Sequence, residues 1–325
     1  MTRRSGGTRQ SRVPRGAGPR SVRIEARAKL NLGLAVGPRR PDGFHDLATV
    51  FQSVSLADTL IVERRRRGFS LTLRHENAAV RGRGEPRLRS LVPAGASNLV
   101  LRAARRMAAR YRIPGGAHFT LIKRIPAGAG VGGGSADAAA ALFALARLHG
   151  IRWSLAERLS VGAELGSDVP FALFGGTALG LGRGERLSRL RLLRPFRAVI
   201  AVPSWRVSTK RAFQLLDRRK YGLTHWRSKL GFAHTFGRRA ISPRDAERLG
   251  NSFEEVPGKY RSGFLSLCAR LREAGVEAPH MTGSGSAVFG IIPIGRTGKQ
   301  VLERFTGPET IHLVRSRGAG LSQPR

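Results

Sequence analysis

Cysteine is almost absent: the 325-residue chain has one, Cys268. A single thiol excludes an intramolecular disulfide and fits a reducing compartment. With eight scattered histidines beside it, no zinc-ligand spacing can be assembled. Long apolar runs are missing as well. The longest, residues 138–146, is far too short to cross a bilayer, and no apolar signal-peptide core follows the basic N-terminus. The sequence therefore reads as a cytoplasmic protein without a membrane partner. Aromatic residues are scarce, at 6%, and are not interleaved with the basic runs, so the stacking platforms of single-strand binders are lacking. Lysine is scarce too. It supplies seven of 58 basic residues, against 21 acids, so the net charge of +37 is almost wholly arginine.

A field of that sign attracts nucleic acid or anionic membrane. Its distribution argues against a specific site. The arginines gather in residues 2–20, 64–67, 81–89 and 238–248, read as a tail or loops, and no zinc finger, helix-turn-helix or RNA-binding motif is present. Non-specific sticking at low salt is expected, and no specific nucleic-acid partner is. The same charge favours a polyanionic small-molecule substrate. A basic nucleic-acid-binding protein is the alternative from a different class.

What is abundant is glycine, concentrated in the run Lys123-Arg-Ile-Pro-Ala-Gly-Ala-Gly-Val-Gly-Gly-Gly-Ser-Ala-Asp137 and followed by an Ala/Leu-rich helix former. A glycine turn feeding a helix N-terminus gathers unpaired N–H donors and the positive end of the helix dipole at one point, which suits a phosphate. Any Cβ would hold an anion away from the backbone, and several of these residues are expected at positive φ. Ser135 is the expected N-cap. The run fits neither the P-loop pattern nor a dinucleotide fingerprint. Asp137, in the first helical turn, would repel a phosphate, so it should face away or act through a cation.

The length allows two domains. Residues 1–21 carry no aromatic and almost no apolar side chain, and they read as a disordered basic tail or an organellar transit peptide, which would move the protein to a stroma. Residues 22–36 alternate in period two, with Lys29 and Asn31 on one face. Residues 38–43 read as a turn, and a strand or helix runs on to Phe51. Two short strands, 61–62 and 69–73, should flank an arginine-rich hairpin. Helices are expected from Ser97-Asn98 to about Tyr111 and over 154–165, and strands over 119–122, 177–181 and 198–202. Asp168 falls in a turn locked by Pro170. Residues 220–242 look irregular, 253–260 and 262–273 look helical, and 280–289 form a second glycine-rich turn entering a strand. Cys268 reads as core.

Three blocks stand in order: Ala26-Arg-Ala-Lys-Leu-Asn31, the glycine run 126–136, and Met281-Thr-Gly-Ser-Gly-Ser-Ala-Val-Phe289. Together they resemble the three signature motifs of the galactokinase/homoserine kinase/mevalonate kinase/phosphomevalonate kinase superfamily. Arg40-Pro-Asp-Gly-Phe-His45, Leu165-Gly-Ser-Asp-Val-Pro-Phe171 and Asn251-Ser-Phe-Glu254 are similar to segments of its 4-diphosphocytidyl-2-C-methyl-D-erythritol kinase family. The likeness spans residues 24–314.

The resemblance implies an α+β, two-lobed small-molecule kinase. Its N-terminal lobe, over 22–190, would be like ribosomal protein S5 domain 2; its C-terminal lobe, over 191–318, would be ferredoxin-like, with a tail at 319–325. It implies ATP and Mg²⁺, with Pro126, Ala127, Gly128, Ala129, Gly130, Val131, Gly132, Gly133, Gly134, Ser135 and Ala136 cradling the phosphates. The metal would be held by phosphates and water. Asp168 would act as base toward the substrate's 2-hydroxyl and Lys29 as its cationic partner. Asn31 would hold substrate hydroxyls. Phe44 and Phe213 would sandwich the cytosine, whose edge His45 would meet. Thr282, Gly283 and Gly285 would close the substrate side. Many relatives have Tyr where this chain has Phe44; stacking survives that exchange. A monomer or weak homodimer is expected. Homoserine or mevalonate phosphorylation is the alternative within the superfamily.

Overall fold

The computed structural model describes residues 18–82, 91–219, 226–256 and 259–318. The expected basic tail (except residues 18–21), most of the 81–89 arginine segment and the tail at 319–325 lie outside them. The chain opens with two long antiparallel strands, β1 (Ser21–Arg39) and β2 (His45–Arg65). Their β-branched and leucine-rich sequence suits a pleat buried on both faces through residues 28–36. The period-two alternation holds only at the start of β1; beyond Ala28 every residue to Val36 is buried. One edge of β2 carries β1. The other is shared by β4 (Gly116–Lys123) and, after β3 (Gly68–His75) and the helices between them are counted, β5 (Thr177–Gly182). β6 (Arg186–Arg189) completes the first sheet, in the order β3-β4-β2-β5-β6.

The arginine-rich hairpin is not formed. Residues 61–62 are the far end of β2, and β3 pairs in parallel with β4, which lies between it and β2. Arg64 and Arg65 end β2 opposite Ala117 and Gly116 of β4, and Arg66 and Arg67 make the connection to β3.

Helix α1 (Leu99–Tyr111) starts where Asn98 accepts the Val100 N–H at 2.8 Å and buries Val100, Leu101, Ala103, Ala104 and Met107. Helix α2 (Gly133–Leu148) is buried nearly all round. Its alanines let it press between α1 and the sheet, so the run that reads as a helix former is the central helix of the first layer. Helix α3 (Leu155–Ala163) is capped reciprocally by Ser154 and Glu157. Helix α4 (Val169–Phe174) follows at once after Asp168, where a turn alone is expected from sequence; Pro170 in its first turn needs no N–H there.

The second sheet has the order β10-β7-β9-β8, from β7 (Arg197–Val202), β8 (Glu277–Met281), β9 (Val288–Ile292) and β10 (Thr310–Arg315). It is flanked by α5 (Thr209–Arg219), α8 (Lys259–Glu273) and α9 (Gly298–Arg304), while α6 (Trp226–His234) and α7 (Pro243–Glu247) pack on β1. The irregular stretch expected over 220–242 contains α6, which packs on β1, and the helix expected over 253–260 is, among the described residues, a 3₁₀ turn at Ser252–Glu255 followed by the start of α8 at Lys259. Cys268 is buried on α8, and its surroundings push the thiol up to about 12.

The two sheets share a core. Ala28, Leu30, Ala48 and Val50 from the first meet Ala198, Ile200, Phe289 and Val314 from the second. Ile125, Ala129 and Val131 of the glycine run plug into that same cluster. The run is thus nailed down by its apolar residues while the glycines between them stay free to turn.

Candidate active site

The glycine run takes the shape its composition demands. Gly128, Gly130 and Gly132 have φ of +67°, +83° and +75°, where an L side chain is strained. A Cβ on Gly130 would also lie 2.2 Å from the Thr282 carbonyl oxygen, and one on Gly132 would meet the Lys29 side chain. Gly132, not Ser135, is the N-cap, and α2 begins at Gly133. Ser135 therefore stands inside the first turn. It is released from capping and lines the cleft in front of the run. Gly133 has a different reason to be small: its Cβ position is filled by Ile125 and the Lys123 ammonium.

Lys29 comes to this point from β1. Its backbone N–H donates to the Val131 carbonyl at 3.0 Å, and its ammonium donates to Asn31 Oδ1 at 2.6 Å and faces Asp168 Oδ2 at 3.5 Å. Lys29 is 6% exposed. Asp168, which is 139 residues further along, has a side chain 35% exposed that makes no cap bond to α4. Its carboxylate is left for the ammonium and the cleft.

Asn31 is the hub. Its amide donates to Thr49 Oγ1 at 2.8 Å, its Oδ1 accepts the Gly283 N–H at 2.9 Å, and its backbone N–H donates to Thr282 Oγ1 at 3.1 Å. The second glycine turn is therefore welded to the strand that carries the lysine. Asn251 donates to the Met281 and Gly283 carbonyls from the other side, and Glu254 accepts the Met281 N–H and pairs with His280. Burial alone would lower the His280 pKa, but Glu254 raises it above the ordinary imidazole value.

A cleft of about 680 Å³ joins these groups. At one end stand Lys29, Asp168, Gly130, Gly132 and Ser135; at the other stand Phe44, His45, Phe213 and Asp217. The turn over 40–44 is held by Arg40 N–H to the Phe44 carbonyl and by Phe44 N–H to Asp42 Oδ1. That holds Phe44 half-exposed, with the Arg183 guanidinium 4.7 Å from its ring centroid. Phe213 presents one face to His45, centroids 4.9 Å apart at 24°, and an edge contact to Phe253.

Beneath the glycine run lies a group that sequence reasoning assigned only in part. Lys123 is buried between Asp58 and Asp137, 2.7 Å from the latter's Oδ2. Asp58 Oδ1 also accepts the N–H groups of Arg124 and Ile125, so β2, the start of the run and α2 are tied through one ammonium. Asp137 accordingly acts through a cation, and the cation is a lysine. Burial would lower the Lys123 pKa, yet the two carboxylates outweigh it and hold it above its usual value. Burial raises the Asp137 carboxyl well above its usual range, and its Oδ1 has no hydrogen-bond partner among the described residues. Asp58 did leave a signal, as an acid in the apolar middle of a strand. Asp217, Thr49 and Arg183 left none, because their partners are distant in the chain.

Residues 98–176 match the model of the GHMP kinases N terminal domain. Over 290 residues the chain is 39% identical to 4-diphosphocytidyl-2-C-methyl-D-erythritol kinase of Moorella thermoacetica, covering 89% of this chain and 96% of that one. The chain belongs to the 4-diphosphocytidyl-2-C-methyl-D-erythritol kinase family. The Salinispora arenicola member of this kinase family is 42% identical over 277 residues, covering 84% of this chain and 83% of its own. A crystal structure of 4-(cytidine 5'-diphospho)-2C-methyl-D-erythritol kinase superposes with a TM-score of 0.70 at 32% identity, covering 92% of this chain and all of that one. Homoserine kinase from Cytophaga hutchinsonii (TM-score 0.66, 18% identity, covering 94% of this chain and 97% of that one) shares the fold. The chain is an ATP-dependent kinase with the two-sheet α+β fold of this superfamily.

Proposed function

We propose that this kinase transfers the γ-phosphoryl group of ATP to the 2-hydroxyl of 4-diphosphocytidyl-2-C-methyl-D-erythritol, with Asp168 as base and Lys29 as its partner. The observation that carries the assignment of roles is the Lys29–Asp168 pair, 3.5 Å apart in a cleft whose rim is Gly130 and Gly132.

Phosphoryl transfer asks a protein for alignment and charge neutralisation. The free backbone N–H groups of the glycine run and the N-terminus of α2 receive the ATP phosphates. Asp168 accepts the hydroxyl proton as the oxygen attacks phosphorus. Lys29, held in place by Asn31 Oδ1, offsets the charge that gathers on the transferring oxygens. An arginine at 29 would not serve, because its wider fork does not fit beside Gly132 and Asn31. Asn31 and Gly283 border the methylerythritol hydroxyls, whereas Thr282, expected at the substrate side, is fully buried outside the cleft lining and holds the Asn31 backbone instead. At the far end of the cleft Phe44 and Phe213 stack on the cytosine, and His45 meets its edge.

Among the described residues no three of His, Cys, Asp or Glu cluster as a metal cage. The Ser135 hydroxyl, freed from capping at the loop end of the cleft, is a hard oxygen ligand of the kind Mg²⁺ accepts when phosphates and water fill most of its shell. Ser135 would hold the ion, which would supply further charge neutralisation on the phosphates. The lobe limits 22–190 and 191–318, a cytoplasmic location and a monomeric or weakly dimeric state belong to the same proposal.

Coupled ADP release with three alcohols tests the substrate. Turnover of the cytidine-diphosphate-linked methylerythritol, and none of homoserine or mevalonate, is expected. Preference for either of the latter contradicts the reading.

A further inference from the structure

Helix α5 brings Phe213 and Asp217 to one point, because residues four apart share a helix face. Both meet His45 at the start of β2. The Phe213 ring lies on the imidazole, and Asp217 Oδ1 is 2.7 Å from Nε2. A carboxylate can only accept, so Nε2 carries a proton. The other ring nitrogen, Nδ1, has no hydrogen-bond partner among the described residues, and it is not one of the sealed buried atoms that lack one. His45 lines the cleft, and Nδ1 is the ring nitrogen left for a ligand there.

We infer that Asp217 is a positioning residue for base selectivity, fixing His45 in the Nε2–H form so that Nδ1 faces the substrate as an acceptor. The inference rests on the proposed placement of the cytidyl end against Phe44 and Phe213. Cytosine carries an exocyclic amine where uracil carries a carbonyl oxygen. An acceptor lone pair attracts the first and repels the second, so the tautomer turns a ring contact into discrimination between two bases of equal size. Without the carboxylate the imidazole takes either tautomer. The corresponding Asp-to-Asn exchange in a Ser-His-Asp triad leaves geometry intact and the tautomer wrong.

The test compares kcat/KM for the cytidine- and uridine-diphosphate-linked forms of the same methylerythritol, in the parent enzyme, Asp217→Asn and Asp217→Glu. The cytidine-over-uridine ratio, which is independent of the folded fraction, should fall about tenfold or more in Asp217→Asn and recover in part in Asp217→Glu. Nitrogen NMR of the imidazole should report Nε2–H in the parent and a mixture in Asp217→Asn. An unchanged ratio in Asp217→Asn, with the cytidine compound still turned over, overturns the inference alone. A parent enzyme that does not phosphorylate the cytidine compound overturns the substrate reading and this inference together.

Discussion

Replacing Lys123 with Met removes the cation from between Asp58 and Asp137 while keeping an unbranched side chain of similar length. Both carboxylates are buried, and Asp58 is fully so. Breaking a buried ion pair by removing one partner costs about 3–5 kcal/mol, because the other charge is left uncompensated. Against a total stability of roughly 5–15 kcal/mol, that is a large share. The loss should depend on pH. Burial already raises the Asp137 carboxyl above its unfolded value, and Lys123 is what opposes the rise. In Lys123→Met the folded pKa climbs further. A raised carboxyl stabilises the fold below its unfolded pKa, and that contribution disappears as pH rises through the folded one. Urea unfolding at about pH 5 and about pH 8 therefore should show the larger gap between parent and variant at the higher pH. Adding Asp137→Asn to Lys123→Met should narrow that gap. A gap below about 1 kcal/mol at the higher pH, or one indifferent to pH, refutes the reasoning.

Gly130→Ala should weaken ATP binding at least about tenfold and cost about 2–4 kcal/mol of stability, since its Cβ collides with the Thr282 carbonyl at positive φ; isothermal titration and thermal unfolding check both. Cys268 should resist a thiol reagent at neutral pH in the folded state and react fully in denaturant, given its burial and a thiol pushed up to about 12; rapid labelling of the native enzyme contradicts that.

Much of the site was legible because its signals are local. A run of glycines before an alanine helix announces a loop at a helix N-terminus, Lys29 and Asn31 sit two apart on one strand, and Asp168 stands just before Pro170, which lies in the first turn of α4. The partners were not legible, because pairing across the chain leaves no mark on either residue. Asp217 lies 172 residues from His45, and Thr282 lies 251 from Asn31. The same holds for the fold. The strand content of 68–75 is plain, but its parallel pairing with β4 depends on which edge of β2 is taken first. The misplaced cap at Ser135 shows local propensity yielding to packing. Ile125 and Lys123 hold Gly133 so close that the helix begins three residues early, where only glycine fits.

The central claim is that the Asp168 carboxylate takes the proton from the substrate hydroxyl beside Lys29. Single-turnover phosphoryl transfer by Asp168→Asn, with ATP affinity titrated on the same sample, tests it most directly. Transfer should slow by at least about 100-fold while ATP affinity stays within about threefold of the parent. Transfer at a rate near the parent's would contradict it.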